Sequence, residues 1–172
     1  FKAVNAASMV PERVEEELFG VENEDGIVVK TGLLESAHNG TLYLDEVSDM
    51  PSETQGKLLR LLVEQRFHRL GGNKDVQVDV RVITSSSHDL SKDVELGLFR
   101  EDLYHRLNVM PLEAPALSSR REDIPDLVNY FIDRLASSTG LPAREIGADA
   151  MAALQAHDWP GNVRQLRNNV ER

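Results

Sequence analysis

The stretch Gly40-Thr41-Leu42-Tyr43-Leu44-Asp45-Glu46-Val47 decides the fold. Thr41 to Leu44 form a continuous apolar run that ends in two acids, which is the pattern of a buried central strand in a parallel sheet. Ligands of open α/β sheets gather outside the carboxyl ends of the strands. An Asp at that end can hold Mg2+ through the ion's water shell, and a neighbouring Glu can polarise an attacking water. The same residues also describe a strand that simply ends in a solvated acidic turn, so the choice rests on what surrounds them.

Working outward, the chain alternates strands and helices and then turns to helices alone. Phe1 to Asn5 reads as a strand. Pro11 opens a helix with acids in its first turns, which suits the positive end of the helix dipole, and Gly20 is a stop. Val21 to Thr31 is polar and glycine-bearing and reads as a loop; Gly32 to Ala37 reads as a short helix. Pro51 starts a helix to about Glu64 whose apolar stripe is Leu58, Leu59, Leu61 and Leu62. Gly71-Gly72-Asn73 lies between β-favouring segments from Phe67 to Val78, a hairpin signal. Val80 to Thr84 reads as a second buried strand, 89–96 and 99–107 as short helices, and Val109 to Leu112 as a strand. Beyond Pro115, Asp123 to Ser137 spaces Ile124, Leu127, Val128, Phe131 and Leu135 as an amphipathic helix; Gly140 and Pro142 break it. Two more helices, Ala148 to Ala156 and Asn162 to Arg172, complete the pattern. The organisation predicted is α/β, a parallel-sheet core over residues 1–117 with a small all-α subdomain over 118–172.

Composition narrows the function. The formal charge is −10 over 172 residues, the wrong sign for a domain that neutralises nucleic-acid phosphates by itself. Residues 1–117 hold 12 basic and 21 acidic residues, and 118–172 hold 7 and 8, so the two parts present different surfaces. With no cysteine, disulfides and thiolate metal sites are excluded. No run approaches the roughly 18 apolar residues that a membrane span needs, and Phe1 to Ser8 has no signal-peptide pattern; a cytoplasmic protein with no membrane partner is the expectation. The histidines are scattered without metal-ligand spacing.

Three further motifs settle the meaning of the acids. They are Gly32 to Glu46 as a whole, Phe99-Arg100-Glu101-Asp102-Leu103-Tyr104-His105-Arg106-Leu107-Asn108, and Trp159-Pro160-Gly161-Asn162-Val163-Arg164-Gln165-Leu166. With Glu17-Leu18-Phe19-Gly20 and Arg121-Glu122-Asp123-Ile124-Pro125 they fall in order along nearly the whole chain. The chain resembles the AAA+ central domain of the bacterial enhancer-binding activators of sigma-54 RNA polymerase. The resemblance implies an AAA+ sheet core plus a helical lid. It implies that Asp45 and Glu46 are the Walker B acids, with Asp45 toward the metal, and that Asn5 restrains the catalytic Glu. It implies that Arg100 and Arg106 are offered to a neighbouring subunit's nucleotide and that Arg164 is the lid arginine that senses nucleotide. A guanidinium on a γ-phosphate is worth about 10³–10⁵ in rate, so the assignment carries real chemistry. The local alternatives are a helix-surface salt bridge from the arginines to Glu101 or Asp102, and a nearby carboxylate for Arg164.

The sequence also departs from that family. The phosphate-binding Gly-Lys loop and the strand before it belong just upstream of Phe1, so the chain as given is expected to hold no nucleotide unaided; a fragment of an intact enzyme and a degenerate enzyme both fit. The intact parent is expected to bind ATP and Mg2+. Where the family carries a Gly-Ala-Phe-Thr-Gly-Ala signature after Gly20, this chain has the shorter, acidic Val21 to Gly32. That loss is shared with the NtrX branch of nitrogen-related response regulators and argues against sigma-54 remodelling. Ser85-Ser86-Ser87 stand where the family has Ala-Thr-Asn, which leaves Ser86 and Ser87 as hydroxyl sensors of the γ-phosphate. The expected parent is a two-component transcription regulator that self-associates into a ring. It would contact DNA through a separate C-terminal domain and a sensor histidine kinase through a receiver domain. The alternative is a nucleotide-responsive oligomerisation module with little hydrolysis.

Overall fold

The computed structural model describes residues 1–8, 10–140 and 142–172. The chain divides into two compact units, Phe1–Pro111 and Leu112–Arg172. The division falls ahead of residue 117 because Leu117 is buried in the second unit's core and its N–H donates to Asn162 Oδ1 at 2.8 Å.

In the first unit, β1 (Lys2–Asn5) is followed by α1 (Pro11–Phe19), β2 (Gly20–Glu22), β3 (Val28–Thr31), α2 (Leu33–Ser36) and β4 (Gly40–Asp45). After α3 (Ser52–Glu64) come β5 (Arg66–His68), β6 (Asp75–Gln77), β7 (Val80–Thr84), α4 (Leu90–Glu95) and α5 (Glu101–Leu107). The central sheet is parallel, in the order β1-β4-β7. Side chains of a strand alternate between faces. Leu42 and Leu44 of β4 are fully buried with Val4 and Val80, while Tyr43 on the opposite face is half-buried beside the exposed Ala3 and Ile83. The amphipathic α3 covers the buried face with Leu58 and Leu61, and Phe19, Leu34, Phe67 and Leu103 join the same core.

Two expectations are corrected. Val21 to Thr31 is an antiparallel hairpin of β2 and β3. Asn23 Oδ1 accepts from the amides of Asp25 and Ile27, and Gly26 takes φ +76°, so a tight Asn-to-Gly turn closes two β-favouring ends. Val109 to Leu112 is not a strand: it pairs with none of the described strands, and Val109, Met110 and Leu112 are exposed. An apolar segment without a hydrogen-bonding neighbour has no ladder to join.

The hairpin is clamped at its base. Arg69 donates to Glu22 at 2.9 Å and, through two nitrogens, to Glu35 at 2.8 and 2.6 Å. The Glu22 amide also donates to Leu70 O at 2.8 Å, and the Leu70 amide to Gly20 O at 3.0 Å. Gly20 and Gly32 allow the close approach: a Cβ on Gly20 would meet Lys30 O at 2.4 Å, and one on Gly32 would meet Leu18 O at 2.4 Å. Elsewhere, buried Gln55 of α3 donates to Met50 O and Leu98 O and accepts from the Arg100 amide at 2.9 Å.

The second unit packs α6 (Ile124–Thr139), α7 (Ala148–Ala156) and α8 (Asn162–Val170) around Leu117, Ile124, Val128, Phe131, Trp159 and Leu166. Gly140 in the left-handed region ends α6. Arg121 donates to the carbonyls of Gln155 and Ala156 at the end of α7, groups that a helix leaves without intrahelical partners. Among the described residues, no helix is long and apolar enough to cross a membrane.

Candidate nucleotide site at the sheet end

The parallel register builds the site. Asn5 lies opposite Asp45, and Leu44 lies opposite Thr84, so the residue following β7, Ser85, comes level with Asp45 on its other side. Three carboxyl ends thus deliver an amide, a carboxylate and a hydroxyl side by side. Asn5 Nδ2 donates to Asp45 Oδ2 at 2.6 Å, and Ser85 Oγ donates to Asp45 Oδ1 at 2.6 Å. Tyr43, two residues before Asp45 and on its face of the strand, brings its hydroxyl to 3.1 Å from Oδ1 and 3.0 Å from Ser85 Oγ. The Ser85 hydroxyl first and the Asn5 amide second hold the Asp45 carboxyl below its ordinary value; burial pushes the other way, and Tyr43 and the Glu46 backbone add to the lowering.

Glu46 sits just past the strand in the left-handed region, φ 55° and ψ 55°. Such backbone is uncommon for a residue with a side chain and concentrates at functional sites. Its Oε2 accepts from both the amide and the hydroxyl of Ser87, each at 2.9 Å. The restraint on Glu46 therefore comes from Ser87. Asn5, expected to hold the Glu, bonds to Asp45, and its own Oδ1 accepts from the Ser8 amide.

Of the other candidates, Ser86 is occupied within its own turn, donating to His88 O and accepting from His88 N at 3.0 Å each. Arg100 precedes α5 and forms a two-pronged pair with Asp102 at 3.0 and 2.7 Å, which holds the Asp102 carboxyl low. That is the local salt bridge named as the alternative, but both partners are about half exposed, and solvent screening leaves such pairs little net strength. Arg106 donates to Leu62 O at 3.0 Å. The polar contacts of these two arginines do not reach Asp45 or Glu46. Arg164 belongs to the second unit; it is exposed, makes no hydrogen bond or ion pair with the described residues, and lines a concavity of about 470 Å³ with Gly161, Gln165 and Asn168.

Sequence reading missed Tyr43 and Ser85. Tyr43 was absorbed into the apolar run, and Ser85 precedes the two serines taken as sensors. The signal for Tyr43 is the period of two, which puts its hydroxyl on the Asp45 face.

Comparison with known proteins agrees with this architecture. Residues 1–113 match the family described as the sigma-54 interaction domain, and residues 118–172 match the AAA+ ATPase lid domain. The nitrogen assimilation regulatory protein NtrX of Azorhizobium caulinodans is 59% identical over 172 residues, covering all of this chain and 38% of that protein. The DNA-binding transcriptional regulator NtrC of Rhizobium meliloti is 44% identical over 177 aligned residues, covering all of this chain and 36% of its own length. A crystal structure of NtrX from Brucella abortus in complex with ATP superposes with a TM-score of 0.93 at 59% identity, over all of this chain and 38% of that one. The chain thus spans well under half the length of these relatives. With the register, the acids and the lid all in place, the chain belongs to the sigma-54 interaction domain family and carries its AAA+ core and lid.

Proposed function

We propose that this chain is the catalytic-acid half and lid of the ATP-hydrolysing domain of a nitrogen-related transcriptional response regulator. The observation that carries the reading is the meeting of Asn5, Asp45, Glu46 and Ser85 at the carboxyl ends of a parallel sheet. One relative above is named NtrX, and one solved structure, also named NtrX, is described as an ATP complex.

The residues present suit magnesium. That ion keeps several of its waters and asks the protein for one or two carboxylates, and Asp45 is a half-buried carboxylate at the strand end whose Oδ2 accepts one hydrogen bond, from Asn5, among the described residues. When bound, magnesium neutralises charge on the β- and γ-phosphates. Glu46, once free of Ser87, accepts a proton from the attacking water. Arg100 and Arg106 leave weak or local partners to stabilise the γ-phosphate of a neighbouring subunit, and Arg164 is a lid cation without a hydrogen-bond or ion-pair partner among the described residues. Ser87 is assigned to Glu46 first; its role as a phosphate sensor requires that it exchange partners.

The test is phosphate release by the full-length protein at concentrations that permit assembly. Glu46→Gln and Arg100→Ala each should lower turnover by about 10³-fold or more, and mixing the two inactive variants should restore part of it, because an intact Glu46 and an intact Arg100 then meet at some interfaces. Turnover unchanged in both variants would sink the reading. A second reading is favoured by the short hairpin, whose tip is Glu24-Asp25-Gly26: nucleotide binding that drives oligomerisation without sigma-54 remodelling. ATP-dependent assembly without phosphate release distinguishes it, whereas open-complex formation on a sigma-54 promoter excludes it.

A further inference from the structure

An ionised carboxylate offers roughly four acceptor positions. On Asp45, Oδ1 is approached by Ser85 at 2.6 Å and by Tyr43 at 3.1 Å, and Oδ2 is met by Asn5 at 2.6 Å. Tyr43 has one proton, and its oxygen also stands 3.0 Å from Ser85 Oγ. The three groups therefore form a short relay, Tyr43 to Ser85 to Asp45, in which each hydrogen bond polarises the next. The Glu46 amide closes on the same Ser85 oxygen at 3.4 Å.

We propose that Tyr43 and Ser85 are positioning residues for the metal-facing acid: their two hydroxyl oxygens, 3.1 and 2.6 Å from Oδ1, crowd that oxygen and fix the carboxylate plane, so that Oδ2 is the oxygen presented to a magnesium ion or its water. This deepens the nucleotide-site reading and rests on it. The two hydroxyls act in opposite senses. They draw charge from the carboxylate, which weakens its pull on a cation, and they remove the side chain's freedom before the cation arrives. Hydrogen bonds that orient a metal's ligands are generally worth 10–100-fold in affinity, so orientation is the larger effect here.

The experiment uses the full-length protein and a fluorescent ATP analogue, with binding followed while magnesium chloride is titrated and again in EDTA. Ser85→Ala should raise the magnesium concentration at half-saturation by about 10-fold, Tyr43→Phe by about 3-fold, and the double variant by more than Ser85→Ala, because in the single variant the Tyr43 hydroxyl, 3.1 Å from Oδ1, can still donate to the carboxylate directly. Ser85→Thr keeps the hydroxyl and should recover most of the loss. Analogue affinity in EDTA should stay where it was in every variant, which a general loosening of the sheet would not permit. A magnesium midpoint unchanged or lowered by Ser85→Ala, or a threonine variant no better than alanine, overturns the proposal. If Ser85→Ala fails to fold, the isosteric Tyr43→Phe decides alone. A wild type whose analogue binding ignores magnesium overturns the underlying site assignment as well, so the two failures are told apart.

Discussion

Gly40 to Glu46 and Trp159 to Asn162 are equally strong as sequence motifs, and the structure uses them in opposite ways. At the sheet end, the polar atoms of Asp45 and Glu46 are held by side chains and an amide from distant parts of the chain, and both acids remain partly open to solvent. In the second unit, Trp159 is 4% exposed, its indole N–H bonds to Leu154 O at 2.7 Å, and Asn162 spends its side chain on the Leu117 amide. One motif gathers chemistry and the other closes a core. A motif becomes a functional site only where its polar atoms stay available; where they are consumed by backbone, it reports packing.

That contrast can be broken most forcefully at Trp159. Trp159→Ala should destabilise the second unit by about 3–5 kcal/mol, read by denaturant unfolding, whereas Glu46→Gln should leave the midpoint nearly unchanged; a mild effect of Trp159→Ala would put that motif in the functional class. The ion pairs sharpen the same distinction. Arg69→Ala leaves Glu22, 6% exposed, and Glu35 without their cation, and should cost about 3 kcal/mol. Arg100→Ala breaks an exposed pair and should leave the midpoint nearly unchanged in the same assay. Asn162→Ala removes the acceptor of the Leu117 amide from a residue at φ 49°, for about 1–2 kcal/mol; Asn162→Gly should cost less, since glycine tolerates that backbone.

The smallest effect is in acid. The folded protein holds Asp45 below 3.8, its ordinary value, so the folded state binds fewer protons than the unfolded one as pH falls through that region. Its contribution to stability is complete above the ordinary value and is lost as pH drops through the lowered one. Asp45→Asn should flatten that part of the stability curve and leave the neutral side alone. Unfolding midpoints between pH 2 and 6 would show an unchanged acid limb if this assignment is wrong.

Much of this was legible because it depends on local pattern. The strand at Thr41 to Leu44, the leucine stripe of α3 and the amphipathic α6 declare themselves by periodicity, and the two acids mark a strand's carboxyl end wherever it lies. What escaped depends on register. Asn5 belongs to Asp45 because β1 and β4 align them as neighbours, and no spacing in the sequence carries that. Ser85 escaped for the same reason, being aligned through β7. The hairpin at Val21 to Thr31 was misread because its acidic turn outweighed its valines, although Asn23 and Gly26 supplied a turn signal. Val109 to Leu112 was misread because β-favouring composition says nothing about whether a partner strand stands alongside.

Gln55 joins features that the chain separates. Its amide nitrogen grips Met50, at the end of the turn that begins with Glu46, and its oxygen grips the backbone of Arg100. Gln55 itself is buried, so breaking its bond to Met50 leaves a buried group bare at about 1–3 kcal/mol. The turn after one subunit's acid and the base of the arginine proposed to serve the next are thus held on a single strut. A change of side chain at Gln55 would therefore loosen both ends at once, the turn beyond the acid and the backbone that starts the arginine's helix.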